Sequence, residues 1–159
     1  VGPKRSDLYE VGQGEFLKRD VRGQTFLTLA PDTAAVIVVA PAGGKLTREQ
    51  VLEGRLWCDV SPTEGARLVE RGALRIVDVR TRSEVAQGII PGALCIPVDM
   101  LEARLGELPR DGQTTLVYCA GGVRSAAACE VLARQGYVQL LNLEGGFNAW
   151  PGPRARPPS

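Results

Sequence analysis

Residues 114–125 read Thr-Thr-Leu-Val-Tyr-Cys-Ala-Gly-Gly-Val-Arg-Ser, a short apolar run that hands one cysteine, Cys119, to a glycine-bearing turn closed by Arg124. A thiol attacks as its thiolate, so what this segment can do depends on what stabilises negative charge at the sulfur. Gly121 and Gly122 permit the dihedrals of a tight loop, and Ser125 opens an alanine-rich helical pattern that stops at Gly136. The amides from Ala120, Gly121, Gly122 and Val123 to Arg124 and Ser125 are therefore expected to converge on Cys119, with a helix N-terminus behind them. Such surroundings lower a cysteine pKa from about 8.5 to roughly 3.5–7.5. The same donors would hold an anionic substrate, with the Arg124 guanidinium adding a planar fork of hydrogen bonds. Cys119 is thus expected as a nucleophile and residues 120–125 as its anion cradle.

The rest of the composition removes other ways of activating it. The chain of 159 residues contains no histidine, which excludes a Ser-His-Asp triad, a Cys-His pair and any histidine metal ligand. The four cysteines, Cys58, Cys95, Cys119 and Cys129, form no Cys-x-x-Cys pair, so neither a metal cage nor a bound cofactor is expected. Nineteen basic and 18 acidic residues are spread along the chain for a net charge of +1, with no basic stripe for nucleic acid and no charged tail for a membrane surface. No apolar run approaches the ~20 residues of a membrane span, and Val1-Gly2-Pro3-Lys4-Arg5-Ser6 leads into no signal-peptide core. A cytoplasmic protein with reduced thiols is the expectation.

The elements that must position Cys119 follow from residue 59 onward, where helical and strand patterns alternate as in a parallel sheet covered by helices. Ser61-Pro62-Thr63-Glu64 reads as a capping box opening a helix. Leu74–Val79 reads as a strand that leaves Asp78 and Arg80 near its C-terminal end, the edge where open α/β sheets bind ligands. A short helix over Ser83–Gln87, a Pro91-Gly92 turn, a brief strand Ala93–Ile96 and a helix from Asp99 to Leu105 precede the Cys119 strand. Helix Ser125–Gln135, strand Val138–Leu141 and a Gly145-Gly146 turn before Trp150 complete the domain, and the Pro/Arg tail 152–159 is expected to be loose. Residues 1–58 read differently, with strands at 15–19, 25–30 and 35–40 in a small antiparallel sheet and one short helix capped at Thr47. They show no nucleophile or ligand cluster, and a packing extension or oligomer contact is the expected role.

With Asp78-Val79-Arg80, Glu84, Ile90-Pro91-Gly92-Ala93, the Cys119-to-Ser125 loop and Glu144-Gly145-Gly146 in register, residues 59–151 resemble a rhodanese domain, a family of sulfurtransferases. The resemblance implies an open parallel sheet with helices on both faces, preceded here by the β-rich extension. It also implies that Cys119 takes the outer sulfur of an anionic donor such as thiosulfate or a persulfide, becomes a persulfide itself, and passes that sulfur to cyanide, a thiol or a sulfur-relay protein. Asp78, Arg80 and Glu84 are implied as supporting residues, Asp78 and Arg80 as an ion pair beneath the loop and Glu84 as a helix-start charge or an arginine partner. The family usually carries histidine before Ile-Pro-Gly-Ala, where this chain has Ile89, a loss at the sheet edge rather than in the loop.

Two other readings stay open at this level. Relatives of the fold that are phosphatases or arsenate reductases also pair a loop cysteine with an arginine, but their loop places five residues between the two, against four here. A regulatory module that merely keeps the fold is the third reading, and an intact Cys119 with its glycines argues against it. Cys129 lies on the helix after the loop, either packed against the sheet or acting as a resolving thiol.

Overall fold

The structure, a computed structural model, describes residues 5–10, 15–22, 37–41, 57–72 and 74–158. In the N-terminal part, strands Arg5–Glu10 (β1), Glu15–Arg22 (β2) and Ile37–Pro41 (β3) form an antiparallel sheet in the order β2-β1-β3. The antiparallel character matches the expectation. The central strand β1 does not, since it occupies a stretch too polar to read as a strand. The strand expected at 25–30 and the helix expected after Thr47 lie outside the described residues.

The second sheet contains the strand that leads to Cys119. Its strands Trp57–Val60 (β4), Arg75–Asp78 (β5), Leu94–Cys95 (β6), Thr115–Tyr118 (β7) and Leu140–Leu143 (β8) are all parallel and run in the order β4-β8-β7-β5-β6. β4 was not legible as a strand, because four residues carrying Asp59 give too short an apolar pattern. Parallel strands need crossovers, and these supply helices Pro62–Glu70 (α1), Arg82–Val85 (α2) and Val123–Arg134 (α3). Side chains alternate across the sheet. Cys58, Val60, Ile76, Leu116, Tyr118, Leu141 and Leu143 pack on one face with Ala66, Leu68 and Val69 of α1. Trp57, Val77, Val79, Val117, Cys119 and Leu140 pack on the other with Ala128, Cys129 and Leu132 of α3. Helices therefore cover both faces, as expected, and each fully buried leucine such as Leu116 or Leu132 contributes about 1.5–3 kcal/mol.

Several boundaries move for local reasons. At α1, Ser61 caps the Glu64 amide at 3.3 Å, but the Glu64 carboxylate accepts from Arg67. The full reciprocal capping box forms instead at Thr81 and Glu84, opening α2. The helix expected from Asp99 is replaced by 3-10 turns at Val98–Met100 and Leu105–Glu107. The last strand starts at Leu140 because Gln139 takes a left-handed φ of 59° and Val138 faces solvent. The C-terminal tail is not loose. Ile89 and Ala155 exchange two backbone hydrogen bonds of 2.8 Å, and the Trp150 indole N–H donates to the Pro153 carbonyl at 2.9 Å. Composition alone suggested disorder; the pairing partner, 66 residues earlier, is visible only in the fold.

Candidate active site

β7 is hydrogen-bonded to β5 on one side and β8 on the other, and all four of its residues are buried. It is a rigid post at the centre of the sheet, and its C-terminal end delivers Cys119. The chain then turns through Gly122, whose φ of +99° few side chains tolerate, and enters α3 at Val123. This start is two residues earlier than expected, so Arg124 sits in the first helical turn rather than at the end of a loop.

The turn points donors at the sulfur. The Gly122 amide donates to Cys119 Sγ at 3.1 Å and the Ser125 hydroxyl at 3.4 Å, with the same hydroxyl 3.1 Å from the Gly122 carbonyl. Burial pushes the Cys119 thiol up, but the Ser125 hydroxyl and the amides of Ser125, Gly122 and Gly121 outweigh it and hold the pKa below that of an ordinary thiol. Removing the Ser125 hydroxyl takes a donor from the thiolate and none from the thiol. Ser125→Ala should therefore shift the pH midpoint of Cys119 alkylation upward, with rates converging above it; iodoacetamide kinetics across the pH range measure this, and an unmoved midpoint would refute the role. Cys129 contrasts with Cys119: it is wholly buried on the sheet-facing side of α3, which drives its pKa well up and favours packing over resolving chemistry.

A second segment, unassigned from sequence, clamps the turn. Gly145 and Gly146 follow β8 with φ of +68° and +55°, bringing the next amides onto the backbone of Cys119 and Ala120. Phe147 N–H donates to the Cys119 carbonyl at 2.8 Å and Asn148 N–H to the Ala120 carbonyl at 3.0 Å. The approach leaves no room for a side chain, since a Cβ at Gly146 would lie 2.3 Å from the Cys119 carbonyl oxygen. The doubled glycine was visible in the sequence; its contact with the loop was not.

Two ion pairs, Asp78–Arg80 and Glu84–Arg124, are joined through the Glu84 backbone carbonyl and lead to the same loop. Arg80 is buried and donates to Asp78 from Nε (3.0 and 3.1 Å) and from its terminal nitrogen (2.7 Å). It also donates to the carbonyls of Gly88 at 2.6 Å and Glu84 at 3.4 Å, and its guanidinium lies 4.0 Å over the Phe147 ring. This fixes α2 against the sheet. The Thr81 capping box then holds the Glu84 carboxylate, accepting from Thr81 N–H at 2.9 Å and its hydroxyl at 2.8 Å. Glu84 in turn receives both terminal nitrogens of Arg124, at 2.6 and 2.9 Å. The Arg124 hydrogen bonds pull the Glu84 carboxyl down to about 2. Glu84 first, and the Cys119 thiolate more weakly, raise the Arg124 pKa.

A cysteine of lowered pKa beneath converging amides, at the C-terminal edge of a five-stranded parallel sheet, coincides with a family assignment: residues 61–152 match the rhodanese-like domain. The chain belongs to the rhodanese-like family. Among the rhodanese relatives, a sulfurtransferase from Allochromatium vinosum is 44% identical over 84 residues, covering 53% of this chain and 78% of that protein. The human thiosulfate:glutathione sulfurtransferase is 34% identical over 104 residues, covering 57% and 90%. A solved structure from Rhodopseudomonas palustris, described as of unknown function and a possible tyrosine phosphatase, superposes with a TM-score of 0.56 at 30% identity, over 60% of this chain and 82% of that one. The relatives named as sulfurtransferases support rhodanese-type sulfur transfer as the general activity. Among the described residues no group of His, Cys, Asp or Glu could hold a metal, and no helix is long and apolar enough to cross a membrane.

Proposed function

We propose that this rhodanese-like protein moves sulfane sulfur through a persulfide on Cys119. The Cys119 thiolate attacks the outer sulfur of the donor; an Sγ–S bond forms as the donor S–S bond breaks, and the electron pair leaves on sulfite or a thiolate. A thiol or cyanide then attacks the bound sulfur as its thiolate or anion, and the pair returns to Sγ. Each species on this route is an anion, so one set of donors serves all of them and no general base is needed.

The observation that carries the reading is the convergence of the Gly122 amide and the Ser125 hydroxyl on a sulfur whose pKa is already lowered. The names of the Allochromatium and human relatives support sulfur transfer in general, and the human one names thiosulfate and the thiol glutathione. Cys95, Cys119 and Cys129 are free thiols, in keeping with a reducing compartment such as the cytoplasm. The Rhodopseudomonas structure favours a phosphatase reading instead, but only four residues separate Cys119 from Arg124, a span suited to one sulfur atom. Intact-mass measurement after incubation with thiosulfate or glutathione persulfide tests the proposal. The protein should gain one sulfur atom and release it to a thiol; turnover of an aryl phosphate without any such gain would overturn it.

A further inference from the structure

Arg124 is the cation that sequence placed at the anion site, yet in the structure its charge is already matched. Both of its terminal nitrogens donate to Glu84, and the pair is only partly exposed, 37% for the arginine and 30% for the glutamate side chain. Glu84 cannot swing away freely, because the Thr81 amide and hydroxyl hold it from the other side and Arg80 grips its backbone carbonyl. The carboxylate is therefore built into the rim beside the nucleophile. Two of the five donors of a guanidinium are spent on it, and a charge balanced at 2.6 Å attracts an incoming anion far less than a free one.

Donors differ in what they ask of that rim. Thiosulfate carries two negative charges on the few atoms around the transferring sulfur, and it meets a thiolate. A persulfide of a larger thiol carries at most one charge there, within reach of the loop amides. We infer that Glu84 is a specificity-determining residue, compensating Arg124 so that the site favours persulfide donors over the dianion thiosulfate. This rests on the sulfur-transfer reading and names the donor class within it. In the reaction with a persulfide, Cys119 Sγ gains the outer sulfur, the donor S–S bond breaks and the departing thiolate keeps the electron pair.

The test compares kcat/KM for thiosulfate with kcat/KM for glutathione persulfide. In Glu84→Gln the ratio should move toward thiosulfate on the order of tenfold, mostly through a lower thiosulfate KM, since removing one charge near the rim changes the dianion most. A merely structural role would depress both donors together. Arg124→Gln leaves the Glu84 carboxylate unopposed and should move the ratio the opposite way, and adding Glu84→Gln to it should restore the ratio toward that of the unaltered protein. If Glu84→Gln fails to fold, Arg124→Gln alone carries the test. An unmoved ratio in both single variants overturns the role of Glu84 while leaving sulfur transfer standing. Failure of the unaltered protein to gain sulfur from either donor removes the function itself.

Discussion

Cys119→Ser is expected to abolish sulfur transfer, lowering it by roughly 10⁴-fold or more, the scale on which loss of a nucleophile acts. The physical reason lies in the loop. The amides and the Ser125 hydroxyl bring a thiol's pKa below its ordinary value, but a serine hydroxyl starts so far above neutrality that the same donors leave it un-ionised. Shape is nearly kept, and the Gly122 amide that donates to Sγ at 3.1 Å can donate to Oγ instead, so stability should change by no more than about 1–2 kcal/mol. Donor-dependent mass gain and the thermal melting curve read the two quantities separately. Cys129→Ala provides the contrast: it removes a thiol buried on the inner face of α3 and should leave sulfur uptake in place at some cost in stability. Sulfur uptake by Cys119→Ser, or its loss in Cys129→Ala with an intact fold, would overturn the assignment of Cys119 as sole carrier.

Gly146→Ala is expected to be the most damaging single methyl group near the site. Its Cβ would meet the Cys119 carbonyl oxygen at 2.3 Å and the Ala120 carbonyl oxygen at 2.6 Å, and both are backbone atoms that cannot turn aside. The residue also has φ of +55°, where alanine is strained. Relief requires the Phe147 and Asn148 amides to leave the carbonyls they satisfy, so a cost of roughly 2–4 kcal/mol and a large loss of activity should appear together. Gly121→Ala is the matched control, because a Cβ there has nothing within 4 Å and the amide that faces the sulfur is retained. Equal melting temperatures and rates for the two variants would show that the close approach of the β8 turn does not hold the loop in place.

This pair of glycines also separates what each level of description could provide. In the sequence, Gly121 and Gly122 look alike, as two residues that loosen a turn. In the structure only Gly122 has a positive φ, and its Cβ would press on the Gly145 amide and the Leu143 carbonyl at 3.2 Å. The glycine under the greatest constraint, Gly146, lies in another segment altogether. Likewise Ser61-Pro62-Thr63-Glu64 carried the clearer capping signal, while the reciprocal box formed at Thr81, where Arg124 draws Glu84 into place from forty residues away.

Residue types and short spacings were enough to single out Cys119 as the candidate nucleophile, to show the alternation of helix and strand, to remove histidine-based chemistry, and to place the family motifs in their order. These are local or compositional properties, set by residue type and short spacing, and they survive without knowledge of what lies opposite. Tertiary structure decided which strands border β7, that the C-terminal tail pairs with Ile89, that the Gly145-Gly146 turn holds the Cys119 backbone, and that Arg124 is already engaged by Glu84. Each of those depends on residues brought together across parallel crossovers, where loop closure and packing choose the partner and no periodicity along the chain records the choice.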